Sequence, residues 1–400
     1  MSVPPGSVAA GPGRLSRARH PRGAARPGRS AGARRMVAGL LATAGIEIGG
    51  SRPWDIRIHD DRFFRRVLAQ GSLGLGESYM DGWWDAGALD EFFARVLEAG
   101  LDQRARNGWG ARLKLLGAQL FNVQSKSKAF ENGQRHYDIG HDLYRAMLDP
   151  RMIYTCAYWK DADTLEEAQL AKLELACRKL ALEPGMKVLD IGCGWGGFAR
   201  YAAERYGVRV VGITVSEDQA AEARRSTAGL PVEIHLEDYR AVSGQYDRVV
   251  SLGMFEHVGC KNYRTYMRVV DGCLAAGGLF LLQTIGGNRS VASTDPWMDR
   301  YIFPNSMLPS ARQIAAASEA LLTVEDWHNF GPYYDRTLMA WFRNFDRAWG
   351  QLRPGYGDRF YRMWKYYLLS SAATFRARRN QLWQIVSSQK GYRGPYVLVR

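Results

Sequence analysis

Residues 188–197 of the chain read Val188-Leu189-Asp190-Ile191-Gly192-Cys193-Gly194-Trp195-Gly196-Gly197. The apolar start of this stretch predicts a short buried strand, and the glycines predict a turn that leads into a helix. Glycine lets the backbone approach a ligand closely, and the first turn of a helix presents free N–H groups to a polar or anionic group. The stretch therefore predicts a cofactor site at a strand-to-helix turn, although such turns bind several kinds of cofactor, dinucleotides among them.

Short apolar runs and helical stretches alternate on both sides of this turn. Runs rich in Val, Ile and Leu occupy 186–192, 209–215, 232–238, 246–254 and 278–285. Helical spacing of apolar residues occupies 197–206, 216–228, 310–320 and, with many aromatics, 334–378, before a closing strand at 382–399. The alternation predicts an α/β domain with a parallel, doubly wound sheet, whose ligands bind beyond the carboxyl ends of its strands.

The residues before the alternating region follow a mostly helical pattern. Apolar positions spaced by three or four predict helices near 63–68, 89–97 and 111–121. The glycine-rich stretch 71–76 is expected to interrupt them. The aromatic residues that follow it fit two explanations, packing between helices or a surface that enters a lipid interface. They are Tyr79, Trp83 and Trp84.

Residues 1–35 contain eight Arg and no acidic residue, among many Pro, Gly and Ala. We expect a disordered tail, because this composition offers too little apolar surface to fold. The first helix is then expected to open at Met36. Arg34-Arg35 before an apolar stretch also resembles a twin-arginine export signal, the composition resembles a transit peptide, and a misassigned start is a further explanation.

Length, charge and cysteine content exclude several classes of protein. A chain of 400 residues favours two domains, and no apolar run approaches the roughly 20 residues of a membrane span. Its five cysteines lack C-x-x-C spacing, so neither a disulfide framework nor a metal site is expected. The net charge of +14 falls to +6 without the tail, so we expect no nucleic-acid partner. A mildly basic surface suits anionic phospholipids instead.

The stretch 188–197 resembles the first motif of the S-adenosylmethionine-dependent methyltransferases. Over nearly all of residues 36–400 the chain further resembles the cyclopropane-fatty-acyl-phospholipid synthases. The stretches that carry this match are 76–84, 136–138, 154–159, 253–259, 301–305 and 325–331. The resemblance implies a Rossmann-like class I methyltransferase domain at 131–400 and a helical lipid-binding domain at 36–130. It also implies a homodimer on a phospholipid membrane surface, cytoplasmic and peripherally associated with the inner membrane.

S-Adenosylmethionine is the cofactor that the resemblance implies, and its contacts are expected at the first motif and at the ends of neighbouring strands. Hydroxyl and amide groups after the second strand can meet the ribose and the methionine part, and the residues after the third can meet the adenine. Turn and cap chemistry is the structural alternative for each of them. The expected set is Tyr154, Thr155, Asp190, Gly192, Gly194, Trp195, Gly196, Thr214, Gln219, Asp238 and Tyr239.

The implied reaction transfers a methylene group to the cis double bond of an unsaturated phospholipid acyl chain. An isolated alkene is a poor nucleophile, so the sulfonium methyl must be held in line with it and away from water. Methyl transfer leaves a carbocation, which aromatic faces can stabilise without attacking it. The candidate aromatic residues are Tyr154, Tyr158, Trp159, Phe255, Phe303 and Tyr334.

Ring closure requires a base that removes a proton from the added methyl group. In the family this base is thought to be a bound bicarbonate or carbonate ion. The resemblance assigns its site to Cys156, Glu256, Gln283, Tyr334 and the backbone of Ile285. Gln283 stands where the family has a histidine, and a glutamine can donate a hydrogen bond but cannot relay a proton. We therefore expect Glu256 and Tyr334 to take more of the proton handling.

Two further residues bear on the mechanism, and other functions stay open. Ser371 stands where an older idea places a nucleophilic cysteine, which excludes covalent cysteine catalysis there. His257 is expected to be a core histidine without a catalytic role. The alternatives are a lipid C-methyltransferase that leaves a methyl branch or a methylene group, a non-catalytic lipid-binding module that kept the fold, and, on charge alone, a nucleic-acid methyltransferase.

Overall fold

The computed structural model describes residues 27–106, 140–291 and 293–400 of the chain. A small, mostly helical part extends to residue 106, and an α/β part begins at residue 140. The expected helix at 111–121, the stretch 136–138 and the expected domain boundary at 130 lie outside the described residues.

The described N-terminal part combines helices with a two-stranded antiparallel ribbon. Its elements are α1 (Pro27–Ala42), β1 (Ile56–Ile58), α2 (Arg62–Gln70), α3 (Ser72–Met80), β2 (Trp84–Ala86), α4 (Leu89–Glu98) and α5 (Leu101–Arg106). Helix α1 begins at Pro27 rather than at Met36, so the end of the expected tail is helical. Proline suits the first helical position, and Arg and Ala are good helix formers. The prediction of disorder rested on the low apolar content and did not consider this helix propensity. Residues 1–26 lie outside the description.

The glycine-rich stretch that was expected to interrupt the helices forms helix α3 instead. A Cβ atom at Gly74 would lie 2.5 Å from the carbonyl oxygen of Arg66, and one at Gly76 would lie 2.3 Å from Cδ1 of Trp297. The glycines therefore serve close packing of this helix against its neighbours rather than a turn.

Packing accounts for two of the three aromatic residues at the end of α3. Tyr79 and Trp84 are buried, with ring centroids 5.2 Å apart. Trp83 is half-buried, and the guanidinium groups of Arg62 and Arg66 lie 4.5 and 4.9 Å from its ring centroid. Of the three, only Trp83 stays near the surface.

A seven-stranded mixed sheet forms the centre of the α/β part, with the spatial order β5-β4-β3-β6-β7-β9-β8. Its strands are β3 (Lys187–Ile191), β4 (Arg209–Thr214), β5 (Val232–Leu236), β6 (Tyr246–Leu252), β7 (Leu274–Gly287), β8 (Thr323–Asn329) and β9 (Asn380–Ser388). The five strands from β5 to β7 pair in parallel, whereas β9 is antiparallel to both of its neighbours. The α/β class is confirmed, but the sheet is not wholly parallel.

Helices cover this sheet and extend towards the N-terminal part. They are α6 (His141–Met147), α7 (Leu165–Lys179), α8 (Gly197–Tyr206), α9 (Glu217–Ser226), α10 (Tyr263–Cys273), α11 (Pro296–Tyr301), α12 (Ala311–Ser318), α13 (Pro332–Tyr356) and α14 (Asp358–Arg376). Short 3-10 turns cover Tyr239–Ala241 and Phe255–His257. No described helix is long and apolar enough to span a bilayer.

The N-terminal part packs on helix α14 through aromatic contacts. The ring of Tyr366 lies 5.7 Å from that of Tyr79 and 4.9 Å from that of Phe93. Arg362 donates to the carbonyl oxygen of Trp84 at 2.8 Å. These contacts join the two parts into one apolar core cluster, which also contains Cys156.

Candidate functional site

A cavity lies at the carboxyl ends of β3, β4 and β6, next to the glycine turn. Of the residues expected to bind the cofactor, all but Gly196 line it. The lining members are Tyr154, Thr155, Asp190, Gly192, Gly194, Trp195, Thr214, Gln219, Asp238 and Tyr239. Gly196 instead precedes α8 with a left-handed backbone, and a Cβ there would lie 3.2 Å from that of Ala223. Their individual roles stay a prediction, although the fold brings nearly all of them together.

The glycine turn has the backbone shape that the sequence predicted. Gly192 and Gly194 have φ angles of +84° and +54°, which side chains disfavour. A Cβ at Gly192 would lie 2.7 Å from Cβ of Met254, whereas nothing lies within 4 Å of one at Gly194. A side chain at Gly192 would therefore clash with Met254, which follows β6, and one at Gly194 would enter the cavity. An approaching ligand can reach the backbone here.

Asp190 is a buried carboxylate at the end of β3. It is 2% exposed, and its Oδ2 atom has no hydrogen-bond partner within the described part of the chain. Burial raises the pKa of Asp190 to about 7, against the opposing effect of Lys172. An orphaned acceptor of this kind fits a ligand that donates hydrogen bonds, such as the amino group of an amino acid.

Cap chemistry also uses some of the lining residues, as the structural alternative predicted. Thr214 Oγ1 donates to Oε1 of Gln219 at 2.8 Å, and Ser216 caps helix α9 through the Gln219 N–H. Asp238 accepts from the N–H of Arg240 at 2.9 Å and pairs with its guanidinium at 3.2 Å. These bonds fix the loops that follow β4 and β5.

The opposite wall of the cavity comes from residues 152–155 and helix α7. The hydroxyl groups of Tyr154 and Tyr367 are 2.8 Å apart. Lys172 donates to Oγ1 of Thr155 at 3.1 Å, and Gln169 donates to the Thr155 carbonyl at 2.8 Å. Lys172 was not among the predicted site residues, although residues 169 and 172 share the helical spacing of the buried face of α7, a pattern that indicates burial.

His257 also lines the cavity, which sequence reasoning did not anticipate. Burial lowers its pKa to about 4, so the imidazole is neutral at pH 7. Its ring lies 5.9 Å from that of Phe303, and Pro304 next in the chain is another lining residue. The expected core histidine thus stands at the wall of the site.

Glu256 and Ile285 meet behind this lining. The Ile285 N–H donates to Oε1 of Glu256 at 2.6 Å, while Oε2 makes no hydrogen bond to any described residue. Burial raises the pKa of Glu256 to about 7, because it disfavours the charged form more than the backbone N–H groups and the Thr284 hydroxyl favour it. A carboxyl group with such a pKa can exchange protons near neutral pH.

Gln283 lies two residues before Ile285 on β7, so the two side chains point to the same face of the sheet. Gln283 is fully buried, and its Oε1 accepts from Nε2 of Gln384 at 3.0 Å. The Gln283 Nε2 group finds no acceptor among the residues described. This amide therefore offers a free donor at the place where the resemblance expects an ion.

Cys156 and Tyr334 belong to the same apolar core cluster. The Cys156 thiol donates to the Ala157 carbonyl at 3.2 Å and lies 3.9 Å from Oγ1 of Thr337, one helical turn beyond Tyr334. Burial raises the pKa of Cys156, so the thiol is protonated. Tyr334 packs against Phe375, with ring centroids 4.7 Å apart.

The candidate aromatic residues divide between two core clusters. Cys156, Ile285 and five of the six aromatic candidates belong to the cluster that joins the two parts of the chain; these five are Tyr154, Tyr158, Trp159, Phe303 and Tyr334. Phe255 does not, because its ring stacks on Tyr263 at 4.3 Å in the core beneath α10. Phe255 therefore does not pack with the other five aromatic candidates.

Comparison with known proteins matches this arrangement to one family. The sequence model described as mycolic acid cyclopropane synthetase matches residues 124–385. The chain belongs to this family. It is 56% identical over 355 residues to the cyclopropane-fatty-acyl-phospholipid synthase of Escherichia coli, a match that covers 89% of this chain and 93% of that protein. It is 32% identical to the tuberculostearic acid methyltransferase UfaA1 of Mycobacterium tuberculosis, over 88% of each chain.

Solved structures of cyclopropane synthase family members support the same assignment. The mycolic acid cyclopropane synthase CmaA1, complexed with S-adenosylhomocysteine and CTAB, aligns with a TM-score of 0.61 and 33% identity. The alignment covers 65% of this chain and 98% of that one. The resemblance, the class I methyltransferase fold and the assignment as an S-adenosylmethionine-dependent enzyme are confirmed.

Proposed function

We propose that the chain is a cyclopropane-fatty-acyl-phospholipid synthase, which adds a methylene group from S-adenosylmethionine across the cis double bond of a phospholipid acyl chain. The observation that carries the proposal is the juxtaposition of the glycine-turn cavity with a buried aromatic cluster and the Glu256 carboxyl group. The 56% identity to the E. coli enzyme supports the choice of substrate.

S-Adenosylmethionine supplies an electrophilic methyl group when it is bound. Asp190, Thr155 and the Gly192–Gly194 backbone would hold it, since an orphaned carboxylate oxygen and open glycine backbone suit its polar groups. The residues of the cavity wall exclude water, which would otherwise compete with the alkene for the methyl group. Tyr154, through its contact with Trp341, joins this wall to the aromatic cluster.

Aromatic faces are the groups of this chain that can stabilise a positive charge on the acyl chain. The rings of Tyr154 and Trp341 lie 5.0 Å apart, and those of Trp341 and Tyr334 lie 5.9 Å apart. Such faces attract a cation without forming a bond to it. The Tyr154 phenol stays protonated at neutral pH, because burial raises its pKa well above its usual value.

Proton removal is proposed to use a bicarbonate or carbonate ion held by Glu256, the Gln283 amide, Tyr334, Cys156 and the backbone at Ile285. Three features support this: Oε2 of Glu256 and Nε2 of Gln283 each lack a hydrogen-bond partner among the described residues, and the pKa of Glu256 is about 7. The Glu256 carboxylate would accept a hydrogen bond from the O–H of bicarbonate, and the Gln283 N–H groups would donate to the ion. Turnover should rise with added bicarbonate, and indifference to it would count against the ion.

A direct test incubates the purified chain with S-adenosylmethionine and vesicles whose phospholipids carry cis-unsaturated acyl chains. The proposal expects a lipid heavier by one CH2 unit whose proton spectrum shows the upfield signals of a cyclopropane ring. An equally heavy product with olefinic methylene signals, or one with a methyl branch, would instead establish the alternative.

That alternative is a lipid C-methyltransferase that does not close the ring, and Gln283 is the observation that favours it. Without a histidine, proton removal from the added methyl group has fewer routes. The similarity to a tuberculostearic acid methyltransferase agrees with this alternative. A non-catalytic lipid-binding module would be revealed by the absence of cofactor affinity in a binding titration.

The proposed partner is the surface of an anionic phospholipid membrane, reached peripherally from the cytoplasm. Helices α1 and α2 support it, since Met36 and Leu68 are 60% and 41% exposed and Arg35 and Arg65 lie exposed on the same helices. Replacing both apolar residues by glutamate should reduce co-sedimentation with anionic vesicles. Val324→Glu, at a 42% exposed position on β8, is the control. The proposed homodimer is tested by sedimentation velocity.

A further inference from the structure

Lys172 is a buried cation at the cofactor cavity that the proposed reaction does not use. Its side chain leaves helix α7, is 1% exposed and lines the cavity together with Thr155 and Asp190. Within the described residues it donates one hydrogen bond, to Oγ1 of Thr155 at 3.1 Å. A buried ammonium group has three donors and a large desolvation penalty, so its presence requires an electrostatic reason.

The ionisable groups that face Lys172 are Asp149, Cys156, Cys177 and Asp190. Asp149 already accepts hydrogen bonds from the N–H groups of Arg151 and Ile153, at 3.0 and 2.9 Å. The two cysteines are buried thiols with raised pKa values. Asp190 is thus the acid among the four whose Oδ2 finds no partner in the described structure, and the Lys172 ammonium group favours its ionised form.

Three further charged residues line the cavity: Asp238 and Arg240 pair with each other at 3.2 Å, and Glu237 is an additional acid. Lys172 and Asp190 differ, since no ion pair within 4 Å joins them in the described structure. The amino-acid end of S-adenosylmethionine carries one positive and one negative charge, while its adenosine end is neutral. A wall with a separate cation and anion complements the amino-acid end.

We propose that Lys172 is a positioning residue of the cofactor site, which holds the Thr155 hydroxyl and keeps Asp190 a carboxylate facing the amino-acid end of S-adenosylmethionine. The inference rests on the proposed function only for the identity of the cofactor. Lys172 acts through the two residues that it orients and not through contact with the reacting atoms.

The pH dependence of this arrangement follows from the two groups. Burial lowers the pKa of Lys172 to about 8 and raises that of Asp190 to about 7. Removing the ammonium group raises the pKa of Asp190 further, so the carboxylate forms only at higher pH. The affinity lost on substitution should therefore be largest at neutral pH and small above pH 8, where Lys172 itself loses its charge.

The experiment measures binding of S-adenosylhomocysteine to the full chain by calorimetry between pH 6 and 9. Lys172→Met should weaken binding about tenfold at pH 7 and less than about threefold at pH 9. Lys172→Arg, which keeps the charge, should retain the pH profile of the unsubstituted chain. A pH-independent loss, or no loss, in Lys172→Met would overturn the proposal.

Lys179→Met is the matched control, because Lys179 is another fully buried lysine of helix α7. It pairs with Asp326 at 3.2 Å and does not line the cavity. Both substitutions should lower the melting temperature, but Lys179→Met should leave cofactor affinity and its pH profile unchanged. An equal effect of the two on affinity would mean that Lys172 is only structural.

Asp190→Asn supplies the second arm, since it imitates the protonated acid. In the Asp190→Asn background, Lys172→Met should weaken binding by less than about twofold, because the carboxylate that Lys172 keeps ionised is already absent. A full tenfold effect there would refute the route through Asp190. Failure of the unsubstituted chain to bind the nucleoside at all would instead contradict the proposed function.

Discussion

Glu256 is the residue whose substitution tests the proposed chemistry most directly. Gln at this position keeps an oxygen that can accept from the Ile285 N–H but removes the titrating group. Since general-base steps contribute typically about 10²- to 10⁴-fold, we expect kcat to fall by roughly 10²- to 10³-fold. Affinity for S-adenosylhomocysteine should not change, because Glu256 lies behind the cavity lining. A loss confined to affinity would contradict the assignment.

The same residue predicts the acid limb of the pH profile. Because burial raises the pKa of Glu256 to about 7, the carboxylate that prepares the base is lost as pH falls below that value. The rate of the unsubstituted chain should decline about tenfold for each pH unit below it. Measured with saturating cofactor, this limb should be absent in Glu256→Gln. A limb retained in the variant would belong to another group.

Substitution of Gln283 tests the binding of the bicarbonate ion rather than the role of the Glu256 carboxylate. Leucine at this position has a similar size but no donor for the ion. A hydrogen bond to a charged group contributes about 1.5–3 kcal/mol, so the bicarbonate concentration for half-maximal rate should rise at least about tenfold. Gln283→His should restore or exceed the original rate, since an imidazole can also relay a proton. Equal bicarbonate dependence in all three chains would refute the ion site.

Among the secondary-structure elements, helix α3 shows glycines that allow close packing, although a glycine-rich stretch usually interrupts a helix. A Cβ at Gly76 would overlap the Trp297 ring, so Gly76→Ala should lower the free energy of unfolding by about 1–3 kcal/mol despite the better helix propensity of alanine. Gly39→Ala is the control, because it lies in helix α1 with nothing within 4 Å. It should be neutral or stabilising by about 0.5–1 kcal/mol in urea denaturation.

Elements with strong local periodicity were predictable, and those fixed by distant partners were not. The strand and turn at Asp190–Gly194 are encoded locally, so sequence predicts both the fold and the side of the sheet on which the cavity lies. Strand β8 lies at an edge of the sheet, and its residues alternate irregularly between exposed and buried. The sequence therefore predicted no strand there, and residues 325–331 were identified only through the family resemblance. The antiparallel direction of β9 depends on the return of helix α14, which no local pattern records.

The candidate site divides in the same way. Gly192 and Thr214 follow strands directly, so the chain order alone places them at the cavity. Cys156, Glu256 and Tyr334 are far apart in sequence and could be grouped only through the family resemblance. Lys172 was missed because a lysine in an amphipathic helix is usually solvated, and this expectation outweighed the helical spacing that places it on the apolar face of α7.

At the scale of the whole molecule, one buried carboxylate links the N-terminal part to the catalytic cavity. Glu77 of helix α3 is 7% exposed and accepts from the Tyr301 hydroxyl at 2.9 Å, while Arg66 and Arg300 also pair with it. Tyr301 ends helix α11, and the chain reaches Pro304 at the cavity wall within three residues. The docking of the two parts therefore bears on the shape of the cofactor site.

Tyr301→Phe tests this link because it removes a single hydroxyl group and keeps the ring. A lost hydrogen bond to a buried carboxylate should lower the free energy of unfolding by about 1–2 kcal/mol. If the contact also fixes Pro304, KM for S-adenosylmethionine should rise a few-fold while kcat changes less. Tyr396→Phe is the matched control, since its hydroxyl donates to the Lys179 carbonyl at 3.0 Å, away from the cavity. Tyr396→Phe should lower the free energy of unfolding and leave KM unchanged. An unchanged KM in Tyr301→Phe would mean that the Glu77 contact joins the two parts of the chain but does not affect the cofactor site.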